Sequence, residues 1–95
     1  MKEKYQKWID KNYPTPVFME NQCANAVIDM SVKFMELKIQ TGRANGKLHC
    51  WLVGEAGEIV DPTAGQFKQP IKYQKIADRF LKKDEFEPAT GAVFI

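Results

Sequence analysis

The chain has 95 residues, 44% of them hydrophobic and 27% charged, with a formal net charge of +2. That length supports one modest core and not two, and that composition is of a globular chain, not a disordered or fibrous one. Basic and acidic residues are interleaved, so there is no basic stripe of the kind that nucleic-acid binding uses, and no stretch approaches membrane-spanning length. The opening MKEKYQKWIDKNY is charged with no apolar run behind it, so a cytoplasmic protein without a secretory signal is expected. In that compartment Cys23 and Cys50 are expected as free thiols, each a small buried hydrophobe unless its neighbours say otherwise.

Tyr5, Trp8, Ile9 and Asn12 recur at helical spacing over residues 2–12, and Tyr13-Pro14-Thr15-Pro16 stops that helix because the residue before a proline leaves helical geometry. From Asn21 or Gln22, a second stripe of Cys23, Ala26, Val27, Met30, Phe34 and Leu37 predicts a longer amphipathic helix headed by Cys23. Leu37 and Ile39 then alternate with Lys38 and Gln40, a strand ending at Thr41-Gly42, with a turn around Asn45-Gly46. Leu48 to Val53 reads as a buried strand and Glu58 to Asp61 as a third. Between them Glu55-Ala56-Gly57 suits a three-residue hairpin loop whose glycine takes the left-handed position. Asp61-Pro62-Thr63 closes the third strand. Tyr73, Ile76, Ala77, Phe80 and Leu81 predict another helix, over 72–83 and ended before Pro88, and the apolar tail 92–95 predicts a final strand. There is no repeat or internal boundary. The expectation is one domain, 1–95, of α+β class, with a small antiparallel sheet packed on a central helix.

With that loop, Gly54 faces Glu58, Trp51 faces Asp61 and His49 faces Thr63. His49, Trp51 and Asp61 then share a sheet face, while Cys50 points the other way. His49 and Asp61 become diagonal neighbours, with Cβ atoms within roughly 7–8 Å. A two-residue loop would put Asp61 on the opposite face. Cys23, in the first turn of a helix, meets the positive end of the macrodipole and unpaired amides, which favour a thiolate. A cysteine, an imidazole and a carboxylate so arranged supply a nucleophile, a base and a group that orients the base. The same amides, with the Gln22 or Asn21 side chain, would stabilise an oxyanion.

Other chemistries are excluded by counting. A single histidine rules out a Cys-His-His triad and paired-histidine metal motifs, and the only serine, Ser31, lies mid-helix. Cys23, His49, Cys50 and Asp61 have zinc-ligand chemistry, but adjacent strand residues diverge and there is no CxxC pair, so no metal or cofactor is expected. Glu55 and Glu58 at the hairpin tip read as a solvated face. The residues alone leave two readings open: a triad, or two core residues and a DPT turn in which Asp61 accepts only local backbone hydrogen bonds.

Three segments bear on that choice. QCANA at 22–26, HCWLV at 49–53 and GEIVDPT at 57–63 together resemble the transglutaminase-like and papain-like cysteine hydrolase superfamily, in particular small bacterial and phage members. The resemblance covers roughly residues 20–67. It implies Cys23 as nucleophile, His49 as base and Asp61 as the orienting carboxylate, with Trp51 walling the site and Asn25 and Ala26 as packing positions. A full core of that superfamily is usually longer, and the pattern does not ask for Cys50. The implied activity is thiol-dependent acyl transfer or amide hydrolysis on a protein or peptide, with water or an amine as acceptor. A domain this small leaves room for part of its site to come from a partner protein or a second copy. The alternative is a catalytically inactive interaction module on the same fold, with Trp8, Trp51, Phe67 and Tyr73 as candidate contact residues.

Overall fold

The computed structural model describes residues 1–86 and 93–95, the side chains of Lys83 and Phe86 excepted. Helix α1 (Glu3–Asn12) turns Tyr5 and Ile9 into the core and carries an exposed Glu3–Lys7 pair four residues apart. Tyr5 also donates its hydroxyl to Glu36 across 2.6 Å, tying α1 to the loop that follows the central helix. A short helix, α2 (Pro16–Met19), follows, with a proline at its first position, where the missing N–H costs nothing. Helix α3 (Cys23–Lys33) buries Cys23, Ala26, Val27 and Met30, one stripe at three- and four-residue spacing. Burying side chains such as Val27 or Met30 contributes about 1.5–3 kcal/mol each. The Phe34 N–H closes the helix on the Met30 carbonyl, three residues before the predicted stripe runs out at Leu37.

The sheet consists of β1 (Lys38–Ala44), β2 (Lys47–Val53), β3 (Ile59–Val60) and β4 (Tyr73–Ala77) in the order β3-β2-β1-β4, antiparallel throughout. The fold is therefore a small α+β arrangement, N-terminal helices packed on a four-stranded antiparallel sheet. Asn45 and Gly46, both at positive φ, join β1 to β2 in the two-residue turn whose twist matches the strands. At the next turn Gly57 has φ +83°, and Gly54 and Glu58 face each other through the Gly54 N–H. Leu52 pairs with Val60 and Val53 with Ile59, so the register is the one that the three-residue loop predicts. Residues 48–52 of β2 are buried on both faces.

Other elements differ from expectation. β1 continues past Thr41-Gly42 to Ala44. Gly42 allows this: a Cβ there would lie 2.1 Å from the Gln74 carbonyl oxygen and 2.9 Å from the Trp51 ring. The segment predicted as a helix over 72–83 is instead strand β4 to Ala77, then bends, with only a short helix, α4 (Lys83–Phe86), beyond. Its helical spacing is fortuitous, because Ile76 is exposed while Tyr73 and Ala77 are partly covered. Pairing with the open edge of β1 outweighs that weak local pattern. Thr41 secures the exit by accepting the Leu81 N–H and donating to the Arg79 carbonyl. The predicted helix end before Pro88 lies outside the described residues, as does Ala92. Val93–Ile95 form no strand, although the Ile95 N–H reaches the Leu48 carbonyl.

Candidate functional site

Cys23 is the first residue of α3. Asn21, at φ +59°, a conformation that asparagine tolerates better than most residues, reverses the chain just before it. Gln22 occupies the cap position without a side-chain cap, so the first-turn amides at the mouth of α3 donate no hydrogen bond to its side chain. His49 lies on β2 and Asp61 just beyond β3, and the hairpin register carries one to the other. His49 Nε2 and Asp61 Oδ2 are 2.8 Å apart. Cys23 and His49 are wholly buried and Asp61 is 5% exposed.

Asp61 accepts from several donors. Oδ1 takes the Thr63 N–H at 3.0 Å and the Thr63 hydroxyl at 3.4 Å, while Oδ2 takes His49 and the Tyr73 hydroxyl at 2.9 Å. One oxygen therefore builds the DPT turn and the other meets the histidine, so the hydrogen bonds of Asp61 are not only local ones. A carboxylate only accepts, so His49 Nε2 carries the hydrogen and Nδ1 is left as the ring's other nitrogen. Nδ1 is buried and makes no hydrogen bond. Trp51 lies nearly parallel to the imidazole at 6.2 Å between centroids, and Phe67 meets it edge-on at 5.1 Å.

Cys23 and His49 each shift the other's proton affinity. For Cys23 the largest influence is the Cys50 S–H, which donates to its sulfur from 3.2 Å. Burial opposes this, His49 reinforces it, and the pKa falls from 9.0 to about 6. Burial would lower the His49 pKa, but the hydrogen bond to Asp61 and the nearby Cys23 outweigh it and raise the value from 6.5 to about 9. Cys50 moves strongly the other way, held as a thiol first by its bond to Cys23 and then by burial. Burial, followed by the Asp61 charge, keeps the Tyr73 phenol protonated.

The remaining predicted residues are placed differently. Gln22 Oε1 accepts from Asn25 Nδ2, and Gln22 lines a groove with Trp8, Tyr13 and Phe18. Asn21 lines a separate groove of about 450 Å³ with Lys47, Gln66, Phe67 and Lys68. That second groove reaches the site through Phe67, which covers His49. Trp51 is 1% exposed, donates to Gln40 and packs edge-on against Tyr73, so it offers no exposed contact surface. Glu55 and Glu58 are exposed at the hairpin tip. Among the described residues, no three His, Cys, Asp or Glu side chains are arranged to hold a metal ion, and no helix is long and apolar enough to cross a membrane.

Sequence reasoning missed two participants. Tyr73 was expected on a helix, and only a strand assignment would have set it beside Asp61. Cys50 does oppose His49 across β2, as alternation requires, but α3 packs on the Cys50 face. The two sulfurs consequently meet at the helix mouth. No family model, curated protein or solved structure matches the chain.

Proposed function

We propose that this protein is a cysteine hydrolase or acyltransferase acting on a protein or peptide amide, with Cys23 as nucleophile, His49 as acid-base group and Asp61 as its orienting carboxylate. One observation carries the reading: a buried imidazole fixed through Nε2 by Asp61, its Nδ1 unpartnered, beside a cysteine at a helix mouth. The order of elements, a helix opened by Cys23 followed by strands bearing His49 and Asp61, also suits a minimal papain-like or transglutaminase-like core.

Between about pH 6 and about pH 9 the pair rests as thiolate and imidazolium, the proton having passed from Cys23 Sγ to His49 Nδ1. The sulfur attacks the carbonyl carbon, and the oxyanion that forms is met by first-turn amides of α3, with Asn21, which lines the Phe67 groove, as the side-chain donor. His49 then gives its proton to the departing amine, leaving a thioester on Cys23. Water or a second amine surrenders a proton to Nδ1 and attacks the thioester, and the thiolate leaves. Hydrolysis and transamidation differ only in that acceptor.

The groove holding Asn21 and Phe67 is the natural approach for a substrate. Full burial of Cys23 and His49 favours the second reading, a non-enzymatic module in which these residues only pack. A panel of thiol-directed probes based on peptide, glutamine-containing and cell-wall-like acyl donors separates the two. An enzyme becomes covalently labelled at Cys23, less so after His49→Ala. Absence of Cys23 labelling by every probe, with rapid labelling of the denatured chain, supports the packing reading instead.

A further inference from the structure

Acyl transfer makes no use of Cys50, yet its sulfur lies 3.2 Å from that of Cys23, and both side chains are wholly shielded from solvent. Each stands on a regular element, one opening α3 and the other in the middle of β2, and those elements pack face to face in the core. The sulfurs are thus held together by the fold, not by chance approach of loops. Joining them needs an approach of about 1 Å, to a bond of about 2.05 Å.

From this geometry we infer that Cys23 and Cys50 are an oxidisable dithiol: a hydroperoxide oxidises Cys23, and Cys50 resolves the product into an intramolecular disulfide. In the first step the Cys23 sulfur attacks one peroxide oxygen. The O–O bond breaks, sulfur loses two electrons, and the displaced hydroxide leaves as water with the former thiol proton, giving Cys23–SOH. In the second step Cys50 attacks that sulfur. The S–S bond forms as the S–O bond breaks, and the hydroxyl leaves with the Cys50 proton as a second water. The sum is two thiols and one hydrogen peroxide going to one disulfide and two waters.

The pair divides this work chemically. Cys23, nearer the thiolate form, is the one that meets peroxide, and Cys50, held as a thiol against it, is the resolving partner. With the two sulfurs already 3.2 Å apart, the internal bond is favoured over intermolecular crosslinking. The disulfide removes the sulfur that acyl transfer would use, so oxidation would reversibly switch that activity off and spare Cys23 from irreversible oxidation. Closure itself needs only the two sulfurs and does not depend on the acyl-transfer reading.

The test is intact mass and peptide mapping of the full reduced chain after brief exposure to a few equivalents of hydrogen peroxide. The expected product is a monomer lighter by about 2 Da, with a crosslink between the peptides carrying Cys23 and Cys50, reversed by dithiothreitol. With Cys50→Ser that product is absent and Cys23 goes on to sulfinic acid, about 32 Da heavier. Wild-type chain that gives the sulfinic acid directly, a disulfide-linked dimer, or no change while the denatured chain oxidises would overturn the inference. None of these readings requires activity, and the wild-type result stands even if the serine variant does not fold.

Discussion

The imidazole of His49 and the carboxylate of Asp61 meet at 2.8 Å inside the protein, twelve residues apart in sequence and joined by the turn of one hairpin. Asp61 takes the Nε2 hydrogen and leaves Nδ1 without a partner, the nitrogen that receives the Cys23 proton in the proposed mechanism. Asp61→Asn keeps the shape but removes the charge, and its amide can donate to Nε2, which favours the tautomer with Nδ1 already protonated. The midpoint of Cys23 alkylation against pH should then climb from about 6 towards 9. Any acyl-transfer activity should fall about 10⁴-fold, the scale associated with loss of the correct tautomer. A variant with the wild-type midpoint would show that Asp61 does not orient the ring.

The two shifted groups give stability opposite pH dependences. The His49 pKa is raised on folding, so its contribution is complete below 6.5 and is lost as pH rises through about 9. That of Cys23 is lowered, so its contribution is complete above 9.0 and is lost as pH falls through about 6. In urea denaturation, the advantage of wild type over Cys23→Ala should grow from pH 6 to pH 9. The advantage over His49→Ala should shrink between pH 6.5 and pH 9. Two pH-independent differences would contradict the ion pair.

Tyr73→Phe removes one donor to Asp61 Oδ2 without changing the aromatic packing on Trp51. A hydrogen bond to a charged group contributes about 1.5–3 kcal/mol, and urea denaturation should show a loss of that size. Cys23 should remain an acidic thiol, because the Cys50 hydrogen bond to its sulfur and the His49 bond to Asp61 both persist. An unchanged denaturation midpoint would mean that the phenol is better satisfied elsewhere.

Gly42→Ala tests the close approach of β1 and β4. The added methyl would collide with the Gln74 backbone and the Trp51 ring, neither of which has a flexible end to yield. Overpacking of this kind costs about 1–3 kcal/mol. Because β4 carries Tyr73, hydrogen exchange should show faster opening of 73–77 than in wild type. Wild-type protection there would contradict the packing described.

The parts of the fold legible in the sequence are those with strong local chemistry. Cys23, Ala26, Val27 and Met30 mark the buried side of α3, and Asn45-Gly46 and Gly57 mark turns that need positive φ. The second of these turns sets the register that brings His49 to Asp61, so the site's geometry followed from one loop length. What escaped depends on tertiary pairing. The segment from Tyr73 to Ala77 has helical spacing of apolar residues, and only the free edge of β1 makes it a strand. The contact between Cys23 and Cys50 depends on which sheet face α3 covers, which alternation along β2 alone does not specify.

The most direct test of the central claim is the pH profile of Cys23 alkylation by iodoacetamide, read by mass spectrometry in wild type and in His49→Ala. Because the midpoint reports the proton on the sulfur, it separates thiol acidity from the slow access imposed by burial. A Cys23 midpoint near 6 in wild type that rises in His49→Ala by the part of the shift that His49 supplies, the Cys50 hydrogen bond keeping the rest, with Cys50 unreactive throughout, is the predicted result. A wild-type midpoint near 9, unmoved by loss of the imidazole, would contradict the thiolate–imidazolium pair and the acyl-transfer chemistry built on it.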